Sequence, residues 1–487
     1  MNIWARKPVE DLCADAESGG KAAALPRTLG VFALTCIGVG ATVGAGIFVL
    51  TGSVAAGHSG PAVGLSFLLA SLVCLLAALC YAELAAMIPV AGSAYSYTYA
   101  TLGEAVAWTV GWCLMMEYLF SASLVAISWA GYAQSTLHQV LGVELLAVLM
   151  SAPFDVKDGW RPYATGTLFN LPAMLVTVGC TLVLLRGLKT STYFNNVMVV
   201  SKIIAILVLI AVGLRYVDPA RWVPYVPANT GSFGVYGLSG VFQGTAILVF
   251  AYIGFDAVST MGQETRNPQR VIPLSLLLGL AICAVLYLVV SFVVTGMVPY
   301  KELDVPDPMY LALDRAGPQV AWAKLLVGFV AVVGLVSVLL VTLMGQVRIF
   351  YAMSRDGLLP AAFARVHEST RVPHVGTWVT GVVSTIAAGL LPLGLLGDII
   401  SMGTLLAFSI VCGGLLVLRR TRADLPRPFR APGGAWLPLA GVVCCVGLMT
   451  TLPRIAMWGF LAWLLTGAVV YLAYGAHRSK LRSGRRG

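Results

Sequence analysis

The sequence predicts an all-α polytopic membrane protein, and three observations carry that prediction. Of its 487 residues 59% are hydrophobic and 11% are charged, and the mean hydropathy is +0.87. A soluble domain has about 25% charged residues. Apolar stretches of roughly 20 residues, long enough to cross a bilayer as a helix, recur along the whole chain. Two of these stretches, the first and the sixth, are interrupted by glycines.

Twelve apolar segments are expected to cross the membrane. They lie at about 29–54, 61–88, 104–133, 168–187, 193–214, 238–262, 272–298, 320–347, 375–397, 399–418, 434–453 and 456–475. Residues 1–25 are polar and contain no apolar core of a signal peptide, so the first segment is expected to remain as a span.

The Lys and Arg residues predict the orientation of these segments. The two termini and the even-numbered loops hold 22 of the 31 Lys and Arg residues, against eight in the odd-numbered loops. Loops rich in Lys and Arg stay in the cytoplasm. Both termini are therefore predicted to be cytoplasmic, with the protein in the cytoplasmic membrane. The same bias accounts for the net charge of +10 without a nucleic-acid partner, and it places the basic tail near anionic lipid.

The sequence carries no pattern of an enzyme, a metal site or a cofactor site. The five histidines fall in loops, at span ends or in the tail, and neither HExxH nor GxSxG occurs. All but one of the ten cysteines lie in apolar segments without zinc-ligand spacing and are expected to be small core residues. The expected partners are a small solute, protons and lipid.

Four ionisable residues lie inside the predicted spans, where they are costly and usually face a cavity or a partner. Lys202 follows Tyr193 by nine residues, roughly 14 Å along a helix, which is too deep for its ammonium group to reach water easily. Its partner is expected to be an acid or a group of carbonyls, or it has no partner when it is deprotonated, and Glu117 is the predicted acid. Desolvation makes the charge of such a lysine depend on its surroundings, although a static salt bridge is the alternative.

The other two buried acids have different predicted roles. Asp256, in "FAYIGFDAVST", is the candidate for contact with a cationic group of a substrate, or it caps a broken helix. Glu83 lies near the cytoplasmic end of the second segment and is interpreted as a structural or gating residue.

The first segment contains "GVGATVGAGIF", with glycines at 38, 40, 44 and 46. A Gly40–Gly44 pair favours close packing of two helices. The alternative is a discontinuous helix, which a membrane tolerates only where the irregular backbone is buried in protein or lines a cavity. The amides at the start of the second half-helix would then attract a carboxylate.

The sixth segment repeats this feature at Gly254. Segments interrupted by glycine at matching positions of two halves indicate a transporter site between inverted repeats. The predicted repeats are 29–215 and 238–418, within a transport core of 29–418. Outside this core, the sequence predicts an N-terminal segment 1–28, a basic loop with two extra helices 419–475, and a basic tail 476–487.

Four motifs together resemble the amino acid–polyamine–organocation superfamily, in its cationic amino acid transporter branch. They are "GVGATVGAGIFVLTG", "YAELAAMIPVAGSAYSY", "FAYIGFDAVSTMGQETRNPQRVIP" and "GQVRIFYAMSRDGLLP", and the resemblance covers about 25–475. It implies a five-plus-five inverted repeat of the leucine-transporter type and transport of free amino acids by alternating access.

The resemblance also implies roles for individual residues. The first break would be formed by Thr42, Val43, Gly44, Ala45 and Gly46. The amides of Ala45 and Gly46 would bind the substrate carboxylate. The Thr42 carbonyl would bind the α-amino group, together with the carbonyls of Phe250, Ala251 and Ile253.

The resemblance further matches Lys202 to a lysine that replaces sodium in proton-coupled relatives. Two residues depart from the family pattern. Gln263 replaces an acid after the sixth helix, and Cys113 stands where relatives often carry an aspartate.

The leading functional prediction is a proton-coupled amino acid symporter, with Lys202 and Glu117 in proton coupling. An exchanger and a sodium-coupled symporter are the alternatives. The substrate is either cationic, such as arginine or lysine, or small and neutral, such as alanine. Leu335 is a candidate for the side-chain pocket, where a bulky apolar residue favours small substrates.

Overall fold

The computed structural model describes residues 5–8, 29–88, 93–143, 145–157, 161–187, 192–261, 265–370 and 372–483. Most of the N-terminal segment, Gln263 and the end of the basic tail lie outside these residues, as do the predictions made for them.

The first half of the chain begins with an interrupted helix and continues with long apolar ones. Its α-helices are α1 (Val31–Thr42), α2 (Thr51–Val54), α3 (Val63–Met87), α4 (Ser93–Thr101), α5 (Glu104–Leu141), α6 (Leu171–Leu185) and α7 (Thr192–Gly213). Between α1 and α3, π-helical turns at Gly46–Leu50 and Ala55–Ser59 and a 3-10 turn at Gly60–Ala62 continue the helical path. Gly142 ends α5 in the left-handed conformation that favours glycine.

The second half also begins with an interrupted helix. Its α-helices are α8 (Gly237–Leu248), α9 (Ala257–Thr260), α10 (Pro268–Met297), α11 (Pro308–Arg315), α12 (Ala321–Arg355), α13 (His374–Leu390) and α14 (Leu393–Thr421). They are followed by α15 (Trp436–Met449), α16 (Arg454–Val470), α17 (Ala476–Arg478) and α18 (Lys480–Ser483). A π-helical turn at Tyr471–Gly475 joins α16 to α17. Short 3-10 helices lie at Ala147–Leu149, Pro219–Trp222, Val249–Tyr252, Tyr300–Glu302, Pro318–Val320 and Ala361–Ala364.

One small hairpin accompanies the helices. Strand β1 (Phe154–Lys157) pairs antiparallel with β2 (Arg161–Ala164), with Phe154 opposite Ala164 and Asp155 opposite Tyr163. The hairpin lies in the connection between α5 and α6, and it leaves the predicted all-α class unchanged.

The helices are those of a multi-pass membrane protein. Within the described residues, seven helical segments are long and apolar enough to cross a membrane, and five shorter apolar helices have 10–17 residues. The shorter five are Val31–Thr42, Leu171–Leu185, Gly237–Tyr252, His374–Leu390 and Trp436–Met449. Two of these belong to the interrupted helices. The count of twelve spans and the inverted repeat stay predictions.

Both ends of the described chain lie on one side of the helices, here named the terminal side. The Ala5 carbonyl accepts a hydrogen bond of 3.0 Å from the Glu104 amide, at the start of α5. The Lys480 amide donates a hydrogen bond of 3.1 Å to the Asp356 carbonyl, and the Lys7 ammonium group lies 3.5 Å from the Asp356 carboxylate. The opposite side, where α5 ends and the hairpin lies, is named the far side.

Glu83 is part of a structural ion cluster at the terminal side. Its carboxylate is fully buried and binds Arg419 through both oxygens, with an Nε–Oε1 distance of 3.0 Å. Arg427 lies 3.5 Å away, and the Ala431 amide donates 2.7 Å to Oε2. A buried acid with this many donors connects the end of α3 to α14, which favours the structural interpretation of Glu83.

Candidate functional site

The first glycine-rich segment forms a break between two helical pieces. Helix α1 ends at Thr42, and the next piece begins at Gly46. The Val43 amide donates 2.7 Å to the Val39 carbonyl and closes α1. Gly40 and Gly44 therefore do not share the face of one continuous helix, so the Gly40–Gly44 packing interpretation is wrong.

The second break separates α8 from α9. The 3-10 turn Val249–Tyr252 follows α8, Ile253 is extended, and Gly254 has φ of +112°, which a side chain would strain. The Phe250 carbonyl already accepts a 3.0 Å hydrogen bond from the Ile253 amide. Irregular backbone of this kind is tolerated at membrane depth because both breaks are buried in protein.

The two breaks touch each other directly. A Cβ placed on Gly46 would lie 2.4 Å from Ala251 Cα and 2.6 Å from Ala251 Cβ. A Cβ on Gly254 would lie 2.8 Å from the Ala41 carbonyl carbon and 2.9 Å from the Thr42 amide nitrogen. Each glycine thus allows one break to approach the backbone of the other. The sequence prediction gave Gly46 a different role, namely binding of the substrate carboxylate through its amide, which leaves no room for a side chain.

Tyr287, on α10, connects the breaks and was not singled out from the sequence. Its hydroxyl lies 2.9 Å from the Thr42 carbonyl oxygen and 3.0 Å from that of Ala251. The ring packs between Phe67 and Tyr252, with centroid distances of 5.4 and 5.2 Å. A buried tyrosine hydroxyl usually has a polar partner, so a tyrosine in an apolar span was the signal available.

We expect Tyr287→Phe to destabilise the protein and weaken substrate binding. The substitution leaves the carbonyls of Thr42 and Ala251 without their shared donor, a loss of about 1–3 kcal/mol for buried polar groups. Thermal unfolding of the purified variant and binding of labelled substrate measure both effects. Tyr225→Phe, on the far side and stacked on Phe292, is the matched control. Unchanged affinity in Tyr287→Phe would contradict a role of this hydroxyl in the site.

Lys202 reaches the first break from α7. Its side chain is 2% exposed, and Nζ donates to the carbonyls of Gly40 at 2.9 Å and Val43 at 3.0 Å. Its aliphatic stem passes over Gly334 on α12, where a Cβ would lie 2.9 Å from Lys202 Cγ. The ammonium group therefore binds the carbonyl end of α1, where the helix dipole is negative and attracts a cation.

The predicted pairing of Lys202 with Glu117 is wrong. Glu117 lies on α5, is 3% exposed and accepts a 2.8 Å hydrogen bond from the Thr404 hydroxyl on α14. The ammonium group of Lys202 is satisfied by backbone carbonyls instead. Both groups are buried, but each has its own partner.

Asp256 lies at the second break and is 4% exposed. Its Oδ1 accepts from the Gly254 amide at 3.3 Å, and its Oδ2 accepts from the Ser93 hydroxyl at 3.4 Å. These contacts stabilise the turn at Gly254, but the carboxylate makes no capping hydrogen bond to an amide of α9. The contact with a substrate cation stays a prediction.

Leu335 is 1% exposed and follows Gly334 on α12. One turn further along, Val338 faces the first break, and a Cβ on Gly44 would lie 3.2 Å from its Cγ1. The surface that α12 presents near this break is apolar at both positions.

A cavity of about 1600 Å³ lies on the far side of the helices. Its lining includes Leu50, which lies about one helical turn after Gly46, and Ile247, which lies about one turn before Phe250. It also includes Asp398 on α14, which the sequence analysis missed because the predicted segments 375–397 and 399–418 left this residue between them.

Both helix breaks and Lys202 lie within the part of the chain that matches a known family. The sequence model of the amino acid permeases matches residues 29–478. The chain belongs to the amino acid permease family. The permease is therefore a membrane transporter and not an enzyme.

Relatives of the permease carry different substrates in their names. It is 42% identical to the methylthioribose transporter and 42% identical to the branched-chain amino acid permease of Bacillus subtilis, in both cases over 99% of each chain. It is 39% identical to cationic amino acid transporter 3 of Arabidopsis thaliana, over 79% of this chain and 61% of that protein. Membership of the superfamily predicted from the four motifs is confirmed.

Proposed function

We propose that the permease is a proton-coupled symporter that imports a neutral amino acid across the cytoplasmic membrane by alternating access. The observation that carries the proposal is the contact of the Lys202 ammonium group with the Gly40 and Val43 carbonyls, at the edge of the first break. A proton on Lys202 and a substrate at this break would both contact the first break. Binding of one would therefore change the affinity for the other, which is what coupling requires.

The charge of Lys202 decides how strongly α1 is held. With its proton, the lysine is a cation hydrogen-bonded to two carbonyls at a helix end, an interaction stronger than one between neutral groups. Without the proton, a neutral amine remains and the charge-assisted part is lost. The first break is then free to move relative to α7 and α12, which favours release of the substrate to the other side.

The amino acid itself would bind between the two breaks. The amides of Ala45 and Gly46, at the start of the second helical piece, would bind its carboxylate. The carbonyls of Thr42 and Ala251 each accept from Tyr287 and keep a second lone pair for the α-amino group. Phe250 and Ile253 would contribute the remaining carbonyls.

The apolar lining near the first break favours a neutral substrate. Leu335 and Val338 present hydrocarbon where a cationic side chain would need an acceptor. The branched-chain permease among the full-length relatives supports the same class. Cationic amino acids are the second candidate, because the buried acids Glu117 and Asp256 lie near the site and some relatives carry that name.

Proton coupling is favoured over sodium coupling by the position of Nζ. A sodium ion bound to the Gly40 and Val43 carbonyls would meet the ammonium group already there. Exchange without a driving ion is the other alternative.

Uptake into proteoliposomes tests the proposal. Labelled leucine, alanine and arginine would be offered under a pH gradient alone and under a sodium gradient alone. Accumulation of leucine or alanine under the pH gradient is the expected result. Accumulation only under the sodium gradient would contradict proton coupling, and counterflow without net accumulation would indicate an exchanger. Preference for arginine would favour the cationic candidate.

The proposal places both termini in the cytoplasm, so that the far side faces outward. We expect an epitope inserted after Gly231, which is exposed on the far side, to be labelled in intact cells. An epitope at the C-terminus is expected to be labelled only after permeabilisation. The reverse pattern would contradict the orientation predicted from the Lys and Arg distribution.

A further inference from the structure

We infer that Asp398 and Gln243 form a second binding site, for a primary ammonium group, inside the far-side cavity. Its proposed occupant is the α-amino group of an amino acid on its way to the breaks. The identity of that occupant rests on the proposed function, whereas the existence of an ammonium site does not.

The packing of α8 and α14 places the two residues at one level. The Ser401 hydroxyl on α14 donates a hydrogen bond of 3.0 Å to the Ile247 carbonyl on α8. Both helices begin on the far side, so α8 and α14 run in parallel. Asp398 precedes Ser401 by one turn, and Gln243 precedes Ile247 by one turn. Both therefore lie one turn closer to the far side, and both line the cavity.

Gln243 is a polar side chain without a function in the fold. It is 6% exposed, and within the part of the chain that the structure describes its amide has no hydrogen-bond partner. A buried amide in that state is costly unless a ligand satisfies it. Its position is fixed by Gly234, whose φ is +84° and where a Cβ would lie 1.4 Å from Gln243 Oε1. The Gly234 carbonyl is bonded at 2.8 Å to His58 Nδ1, which holds that loop in place.

Asp398 supplies the charge. Its carboxylate is half-buried, and among the described residues it has neither a hydrogen bond nor an ion pair. The other ionisable groups that line the cavity are Asp155, Asp304, His58 and Arg454. Three carboxylates against one arginine give the cavity a negative charge when the carboxylates are ionised and His58 is neutral, and a cavity of one sign raises the local concentration of the opposite ion.

The chemistry of the pair fits a primary ammonium better than a bare metal cation. An ammonium group has three N–H donors, which match the two oxygens of a carboxylate and the amide oxygen of glutamine. Two protein groups are too few for Ca²⁺, which takes about six to eight oxygen ligands. The volume of about 1600 Å³ also admits a whole amino acid.

Binding of ethylammonium tests the site without reference to transport. Its dissociation constant would be measured by saturation-transfer NMR on the full-length permease in lipid nanodiscs. We expect Asp398→Asn to raise this constant about tenfold, because a charge-assisted hydrogen bond is lost. Asp398→Glu should restore binding, and tetramethylammonium, which has no N–H, should bind poorly to all forms.

Asp155→Asn is the matched control, because it removes the same charge from the same cavity. If it weakens ethylammonium as much as Asp398→Asn does, the effect is the general charge of the cavity and the site is wrong. If Asp398→Asn is monodisperse and binds ethylammonium as tightly as the wild type does, the proposed site is also contradicted.

A transport measurement then tests the occupant. We expect Asp398→Asn to raise KM for uptake about tenfold with little change in kcat, since the central site is intact. If Asp398→Asn no longer binds ethylammonium but its KM for uptake is unchanged, the α-amino group of the substrate is not the occupant of this site. If the wild type accumulates no amino acid, the proposed function fails, and the ethylammonium titration still decides whether the site exists.

Discussion

Lys202→Met is expected to abolish accumulation of substrate under a proton gradient while exchange of substrate survives. Methionine has a similar length and no charge, so the apolar contacts of the stem remain while the hydrogen bonds to Gly40 and Val43 are lost. Among the described residues, Lys202 is the only candidate proton carrier whose side chain contacts the first break. Without it, binding of the substrate and binding of a proton are no longer linked.

The measurement is uptake of labelled substrate into proteoliposomes under a pH gradient, beside counterflow in the same vesicles. Accumulation is expected to fall to background, a loss of about 5- to 150-fold for a coupling free energy of about 1–3 kcal/mol. Lys324→Met, a substitution of a lysine on the far side of α12 that pairs with Asp314, is the matched control and should transport normally. If Lys202→Met still accumulates substrate, Glu117 and Asp256 become the candidates for the proton carrier.

Gly334→Ala gives a second, independent test of the same contact. A Cβ at this position would lie 2.9 Å from Lys202 Cγ and 3.0 Å from Cδ, so the stem must move. The ammonium group would then lose its alignment with the two carbonyls while its charge remains. The variant is expected to reproduce the loss of coupling in part. A fully coupled Gly334→Ala would indicate that the exact position of Nζ does not matter.

The sequence predicted the depth of Lys202 and a group of carbonyls as one possible partner, but the preferred partner, Glu117, was wrong. Nine residues beyond a span end place a lysine deep in the membrane, because the rise of a helix is constant. The choice of Glu117 used charge complementarity alone. The carbonyls of Gly40 and Val43 become acceptors only because α1 ends at Thr42, and that depends on how α1 packs against the second break. Backbone acceptors of this kind carry no mark in the amino-acid sequence.

Asp398 and Tyr287 were missed for two different physical reasons. Asp398 lies in the first two turns of α14, at a boundary where hydropathy alone cannot separate a loop from a span. Tyr287 is apolar enough to pass as a core residue, and its hydroxyl matters only because two distant carbonyls meet beside it. The breaks themselves were predictable, because glycines interrupt the first and sixth segments at matching positions of the two halves.

Gly46→Ala is expected to lower the free energy of unfolding and to abolish substrate binding, whereas Gly44→Ala is expected to be tolerated. The added methyl group at Gly46 would lie 2.4 Å from Ala251 Cα, which is backbone and cannot yield without separating the two breaks. At Gly44 the nearest atom is Val338 Cγ1 at 3.2 Å, the end of a side chain that can shift. The two variants add the same group to the same break, so their difference isolates the contact between the breaks.

Thermal unfolding and substrate binding of both purified variants decide between the reasons for Gly46. If Gly46 serves the contact with Ala251, overpacking lowers the free energy of unfolding by about 1–3 kcal/mol and binding is lost as well. If Gly46 only leaves room for a carboxylate, Gly46→Ala unfolds like the wild type and fails only to bind. Gly44→Ala is expected to match the wild type in both measurements. Equal damage by both substitutions would mean that the first break tolerates no side chain at all, and the contact with Ala251 would lose its special role.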